Sequence, residues 1–137
     1  MPVVLDCSVV MTWRFLDEAS DAADRLLDHV SEHGAIVPAL WHLEVANALS
    51  IGERRARLKA AQVAEFVALL ETLPIRIDES MSARAWHEVR ALAQEHALTA
   101  YDAAYLDLAM RTGSPLASKD RDLCRAAERV GVEVIAV

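Results

Sequence analysis

Two kinds of segment alternate along the chain. Short apolar, β-branched runs recur at wide spacing: Val3 to Asp6, Ala35 to Val37, Ile75 to Ile77, Pro115 to Ser118 and Val132 to Ile135. Each has the length of a strand buried on both faces. Between them, apolar positions recur every three or four residues. From Asp17 to His33, the side chains of Ala22, Ala23, Leu26, Leu27 and Val30 fall on one helical face, and Gly34 supplies the stop. Leu40 to Arg55 and Lys59 to Leu73 read as a helical pair ending before Pro74, and Ser80 to His96, Tyr101 to Thr112 and Asp120 to Val130 are further helices. Strands alternating with helices, without tight hairpin signals, predict an α/β domain with a mostly parallel sheet of about five strands, covered on both faces.

That architecture says where to look for chemistry, because open parallel sheets bind ligands beyond the carboxyl ends of their strands. Asp6 closes the first strand and Asp120 follows the fourth by two residues. Glu44 lies within LWHLEVANALSI, with Leu40, Trp41, Ala48 and Ile51 at helical spacing around it and Asn47 one turn on. An ionised carboxylate on such a stripe costs several kcal/mol of desolvation, on the order of that for other buried ions, unless a cation compensates. Asp102 shares a helix face with Tyr105, Leu106 and Ala109. Each acid also has a structural reading. Glu44 could reach water at the rim of its stripe, Thr99 to Asp102 matches a capping box, and Asp6 and Asp120 stand where N-caps stand.

Taken together, Asp6, Glu44, Asp102 and Asp120 would repel one another at one sheet edge, and a hard cation resolves that conflict. Carboxylates with hydroxyls from Ser8, Thr99 or Ser118 suit Mg²⁺ or Mn²⁺ and suit zinc poorly. The matching chemistry is phosphodiester hydrolysis.

Length and composition narrow the setting. With 137 residues, 54% of them hydrophobic, one domain spanning 1–137 is expected. The opening MPVVLDCSVV has neither the basic region nor the long apolar stretch of a secretory signal, so a cytoplasmic protein without membrane contact is expected. Cys7 and Cys124 form no metal or redox spacing and read as buried free thiols. Trp13, Trp41 and Trp86 read as core or dimer-interface residues, and His29 and His33 form an i, i+4 pair without a third ligand. A net charge of −7 excludes broad electrostatic capture of nucleic acid, so phosphate contacts must be local. Two groupings could supply them, Arg54, Arg55, Arg57 and Lys59, and Lys119, Arg121 and Arg125, each of which also reads as a solvated helix face.

The segments VVLDCSVV, VPALWHLEVANAL, LTAYDAAYLDLA and PLASKDRDLCRAA, in this order and spacing, resemble the PIN-domain ribonucleases, in particular VapC-like toxins of toxin–antitoxin pairs. The resemblance covers essentially the whole chain. It implies a three-layer α/β/α fold, Mg²⁺-dependent endoribonuclease activity, homodimerisation and inhibition by a VapB-like antitoxin. Position by position, Asp6, Glu44, Asp102 and Asp120 match the family's acidic site, and Ser8, Asn47 and Ser118 match its supporting positions. Ser118 stands where threonine is common, and Asp122 could be a fifth acid or a helix first-turn residue. Two competing readings are a metal-dependent phosphatase or phosphotransfer domain, for which Asp6-Cys7-Ser8 lacks the second acid of a DxD pair, and a non-catalytic acidic module that binds a basic partner.

Overall fold

The computed structural model describes the chain from Met1 to Val137, the side chain of Leu16 excepted. Five parallel strands form one sheet in the order β3-β2-β1-β4-β5: β1 (Val3–Leu5), β2 (Ala35–Pro38), β3 (Ile75–Asp78), β4 (Leu116–Ala117) and β5 (Val134–Ile135). In the middle, Val4 registers with Ile36 on one side and Leu116 on the other. All three residues of β1 are fully buried, which explains why it reads as a continuous apolar run rather than an alternation.

The helices are α1 (Cys7–Val10), α2 (Asp21–His33), α3 (Leu40–Arg54), α4 (Ala60–Thr72), α5 (Met81–Arg84), α6 (Arg90–His96), α7 (Ala100–Thr112) and α8 (Arg121–Arg129). From β1 to β3 the chain steps one way across the sheet, and from β3 through β4 to β5 it steps back. Right-handed crossovers therefore put α2 to α4 on one face and α5 to α8 on the other, giving three layers. The reversal creates a topological switch point between β1 and β4, the place where such sheets form their crevice.

Several elements depart from the sequence reading. Helix α2 begins at Asp21 rather than Asp17, because extended Ser20 caps it by accepting the Ala23 N–H at 3.0 Å, and residues 16–18 form a separate 3₁₀ turn. After Asp6 the chain turns at once into α1 and a 3₁₀ turn at Met11–Trp13, helical structure not foreseen from the sequence, which buries Val9 and Val10. The single helix expected over Ser80 to His96 is interrupted by a π-helical segment at Ala85–Val89. Its wider turn lets Val89 pack on Ala103 and Ala104 of α7. Trp86 is 82% exposed, which excludes the core placement from its two expected places, core or dimer interface. Cys7 and Cys124 are free, as expected, but half-buried.

Candidate active site

The switch point places Asp6 at the mouth of the sheet. Asp6 occupies the N-cap position of α1, yet its side chain makes no capping bond. Instead its Oδ2 accepts hydrogen bonds from Ser8 Oγ and Ser118 Oγ, each at 2.7 Å, so the cap alternative fails for this residue. Asp6 is 5% exposed, and burial pushes its carboxyl above the ordinary value; the Ser118 and Ser8 bonds oppose that shift and the charge of Asp120 adds to it.

The same two serines fasten the loop after β4. Ser118 Oγ accepts the Asp120 N–H at 3.0 Å, and Ser8 Oγ accepts the Lys119 N–H at 2.9 Å. The Cys124 thiol donates to the Ser118 carbonyl at 3.3 Å. Asp120 is the N-cap of α8, and its Oδ1 accepts the Leu123 N–H at 2.9 Å. For this acid the capping role is real, and Oδ2 makes no hydrogen bond among the described residues.

Glu44 comes from α3, whose buried stripe is Trp41, Val45, Leu49 and Gly52; Glu44 borders that stripe and is half-buried. The hydroxyl of Tyr105, on α7, donates a short hydrogen bond to Glu44 Oε1. Burial raises the Glu44 carboxyl, the Tyr105 bond works against this, and the charge of Asp6 adds to the rise. Burial followed by the Glu44 bond also pushes Tyr105 up, so it stays a proton donor. The neighbouring Cys7 thiol is pushed up to about 12, first by burial and then by Glu44 and Asp6, and carries no thiolate chemistry.

Asp102 sits in the first turn of α7, where Thr99 Oγ1 accepts its N–H at 3.1 Å. Its carboxyl is pushed up to about 6, first by burial and then by the charges of Asp120, Asp6, Glu44 and Asp122. These charges tie all four foreseen acids into one electrostatic unit, with Asp122 at its edge in the exposed first turn of α8. Asn47 is exposed and makes no side-chain hydrogen bond with these acids among the described residues.

A divalent cation fits this donor set by its chemistry. The donors are oxygens, and three of the carboxylates carry a raised affinity for protons that nearby positive charge would relieve. Among the described residues no three Asp, Glu, His or Cys side chains already stand in a closed ligand cluster, so a cation would have to draw the carboxylates inward.

Two features were missed in the sequence. Tyr105 counted there only as an apolar neighbour of Asp102, although a buried tyrosine hydroxyl usually needs a partner. The second is a charged network behind the site. Arg84 Nε and Nη2 donate to Asp107 at 2.8 and 2.9 Å, Arg111 Nε donates to Asp107 Oδ2 at 3.0 Å, and Arg111 Nη2 reaches Asp78 at 2.8 Å. This network ties α5, α7 and the end of β3 together.

A family model described as PIN domain matches residues 3–129. The chain is 30% identical to Ribonuclease VapC3 of Pyrobaculum aerophilum over 123 residues, covering 90% of this chain and 92% of that protein. The crystal structure of PAE2754 from Pyrobaculum aerophilum superimposes with a TM-score of 0.71 at 23% identity, covering 98% of this chain and 84% of that one. That of FitAcB from Neisseria gonorrhoeae gives 0.59 at 18% identity, covering 97% and 96%. With the family match spanning almost every element of the sheet and a relative aligned over nine-tenths of its length, this chain belongs to the PIN domain family and is VapC-like.

Proposed function

We propose that the chain is a Mg²⁺- or Mn²⁺-dependent endoribonuclease that acts as the toxin of a toxin–antitoxin pair. The observation that carries this reading is the fastening of Asp6 and Asp120 to one another through Ser118, near enough to Asp102 that their charges, after burial, raise its carboxyl. The similarity to Ribonuclease VapC3 supports RNA as the substrate.

Asp6, Glu44, Asp102 and Asp120 would hold the cation. When bound, it would polarise the phosphodiester and lower the pKa of an attacking water. The chain's own contribution is placement. Ser8 and Ser118 occupy Asp6 Oδ2 and leave Oδ1 directed by geometry rather than by search, and Tyr105 does the same for Glu44 Oε2. Asp120, held at Oδ1 by the α8 backbone, presents Oδ2. Asp102, whose carboxyl is pushed up to about 6 by burial and then by the charges of the neighbouring acids, completes the set from the first turn of α7.

The partners follow from the same reading: a VapB-like antitoxin that silences the enzyme, a second copy of the chain in a homodimer, and the cytoplasm as the compartment. No helix among the described residues is long and apolar enough to cross a membrane. The test is incubation of a labelled RNA pool with antitoxin-free protein in Mg²⁺, Mn²⁺ or EDTA. Cutting in both metals and none in EDTA is expected; cutting that persists in EDTA contradicts the role assigned to the four acids.

A further inference from the structure

Beside the acidic site, a cleft of about 420 Å³ opens at Ser8 and runs along α3 past Ile51 to Arg55, with Lys119 on its rim. It follows the α3 stripe beyond Glu44, since Ala48, Ile51 and Arg55 continue that face at helical spacing. At its far end stands Phe15 with the Arg57 guanidinium over the ring at 4.0 Å. Beyond that pair lies a second cavity of about 440 Å³, which Phe15 and Arg57 also line. Both volumes fall in the range of about 300–1,000 Å³ common to small-ligand sites.

The cations here differ in how they are employed. Arg57 is held by Asp17 at 3.1 Å, which fixes its plane against Phe15. Lys119 leans on Glu18 at 3.7 Å, a loose and solvent-screened pair. Arg55 has no carboxylate within ion-pairing distance among the described residues. Gly52 makes the arrangement fit, because a Cβ there would stand 2.8 Å from Leu58 Cδ1 and 3.6 Å from Phe15 Cζ. On a chain of net charge −7, a cleft lined by Arg55, Arg57 and Lys119 against the single carboxylate of Glu18 is a local exception suited to an anionic chain.

Resting on the ribonuclease reading, we propose that this cleft is the subsite for the nucleotides flanking the scissile phosphate of single-stranded RNA. Arg55 and Lys119 hold a phosphate, and a base stacks on the Arg57–Phe15 pair. Unstacked bases of single-stranded RNA bind on aromatic rings and guanidinium planes in this way. The cations favour this occupant over a basic peptide, which they would repel.

The test is binding of a fluorescein-labelled, unstructured RNA heptamer in EDTA, read by anisotropy over a salt series. The full chain carries Asp6→Asn so that the RNA stays whole. Adding Arg55→Glu is expected to weaken binding about tenfold and to make the log–log salt slope shallower by about 0.7 for each phosphate the cleft no longer neutralises. Arg57→Ala is expected to weaken binding with little change in slope, since Asp17 already neutralises that charge. Affinity and slope unchanged by Arg55→Glu, or an equal loss from Arg129→Glu on α8, overturns the subsite. Failure of the wild-type chain to cut any RNA defeats the ribonuclease reading instead, so the two failures are distinguishable.

Discussion

Tyr105 on α7 donates its hydroxyl proton to Glu44 on α3, across a sequence separation of 61 residues. The tyrosine is 0% exposed, so this carboxylate is its partner in place of water, and the bond joins helices from opposite layers of the sandwich. Tyr105→Phe is expected to destabilise the chain by about 1–2 kcal/mol, because Glu44 is left half-buried without its donor. Chemical denaturation reads that loss. Titration with Mn²⁺ is expected to show weaker binding, since Glu44 is freed to turn away from the site.

Ser118 serves both Asp6 and Asp120 from a single oxygen. Ser118→Ala removes the donor to one and the acceptor of the other, and a stability loss of about 1–3 kcal/mol is expected together with a fall in kcat. Ser118→Thr keeps the oxygen and is expected to restore both. A threonine variant as inactive as the alanine variant would show that side-chain volume at this buried position, rather than the hydroxyl, is what matters.

The raised carboxyl of Asp102 makes stability fall with pH in the metal-free chain. Folded, the group titrates near 6, and unfolded at the ordinary 3.8, so the folded state holds the proton more tightly. Its contribution is complete below about pH 4 and lost as the pH rises through 6. Asp102→Asn is expected to flatten that decline and to stabilise the metal-free chain at pH 8 by about 1 kcal/mol, the modest size reflecting solvent screening of a half-buried group. Thermal melts at pH 5 and pH 8 in EDTA check this. Added Mg²⁺ is expected to raise the wild-type Tm at pH 8 and to leave the variant's Tm nearly unchanged.

Asp107 behaves in the opposite sense. Burial pushes it up, but the hydrogen bonds from Arg84 and Arg111 outweigh burial and hold the carboxyl below its ordinary value. The stability it supplies is therefore complete above the unfolded value of 3.8 and lost as the pH falls through the folded one. Asp107→Asn is expected to cost about 2 kcal/mol at neutral pH, less than a sealed pair would lose because Arg84 is partly exposed. RNA cleavage per folded molecule is expected to stay within about twofold, since Asp107 points at the network and not at the four acids.

What could be read from the sequence was what periodicity and strand ends encode. The five strands, their parallel arrangement and the acids at their carboxyl ends follow from apolar runs and from the rule that such sheets bind ligands there. Boundaries set by a local hydrogen bond were less accessible: Ser20 ends the acidic 3₁₀ turn and starts α2, yet Asp17 looks as much like a first-turn residue as Asp21 does. The π-helical turn at Ala85–Val89 leaves the apolar pattern intact while redirecting Trp86 to solvent, and nothing in the local composition marks it. Within the site, the acids were legible because a carboxylate on an apolar face is costly. Tyr105 was not, because its ring satisfies the same pattern as a leucine. Asn47 matched the family's pattern and stands exposed one turn beyond Glu44 on α3.

In the proposed reaction Asp6 and its companions cut RNA through a bound cation. The direct measurement is cleavage of a labelled RNA pool by the wild-type chain and by Asp6→Asn, purified identically and free of antitoxin, in Mg²⁺, Mn²⁺ and EDTA. The expected result is metal-dependent cutting by the wild type and none by a folded Asp6→Asn protein. Equal cutting by the two proteins would contradict the claim, since Asp6 is the carboxylate on which both serines and the loop bearing Asp120 converge.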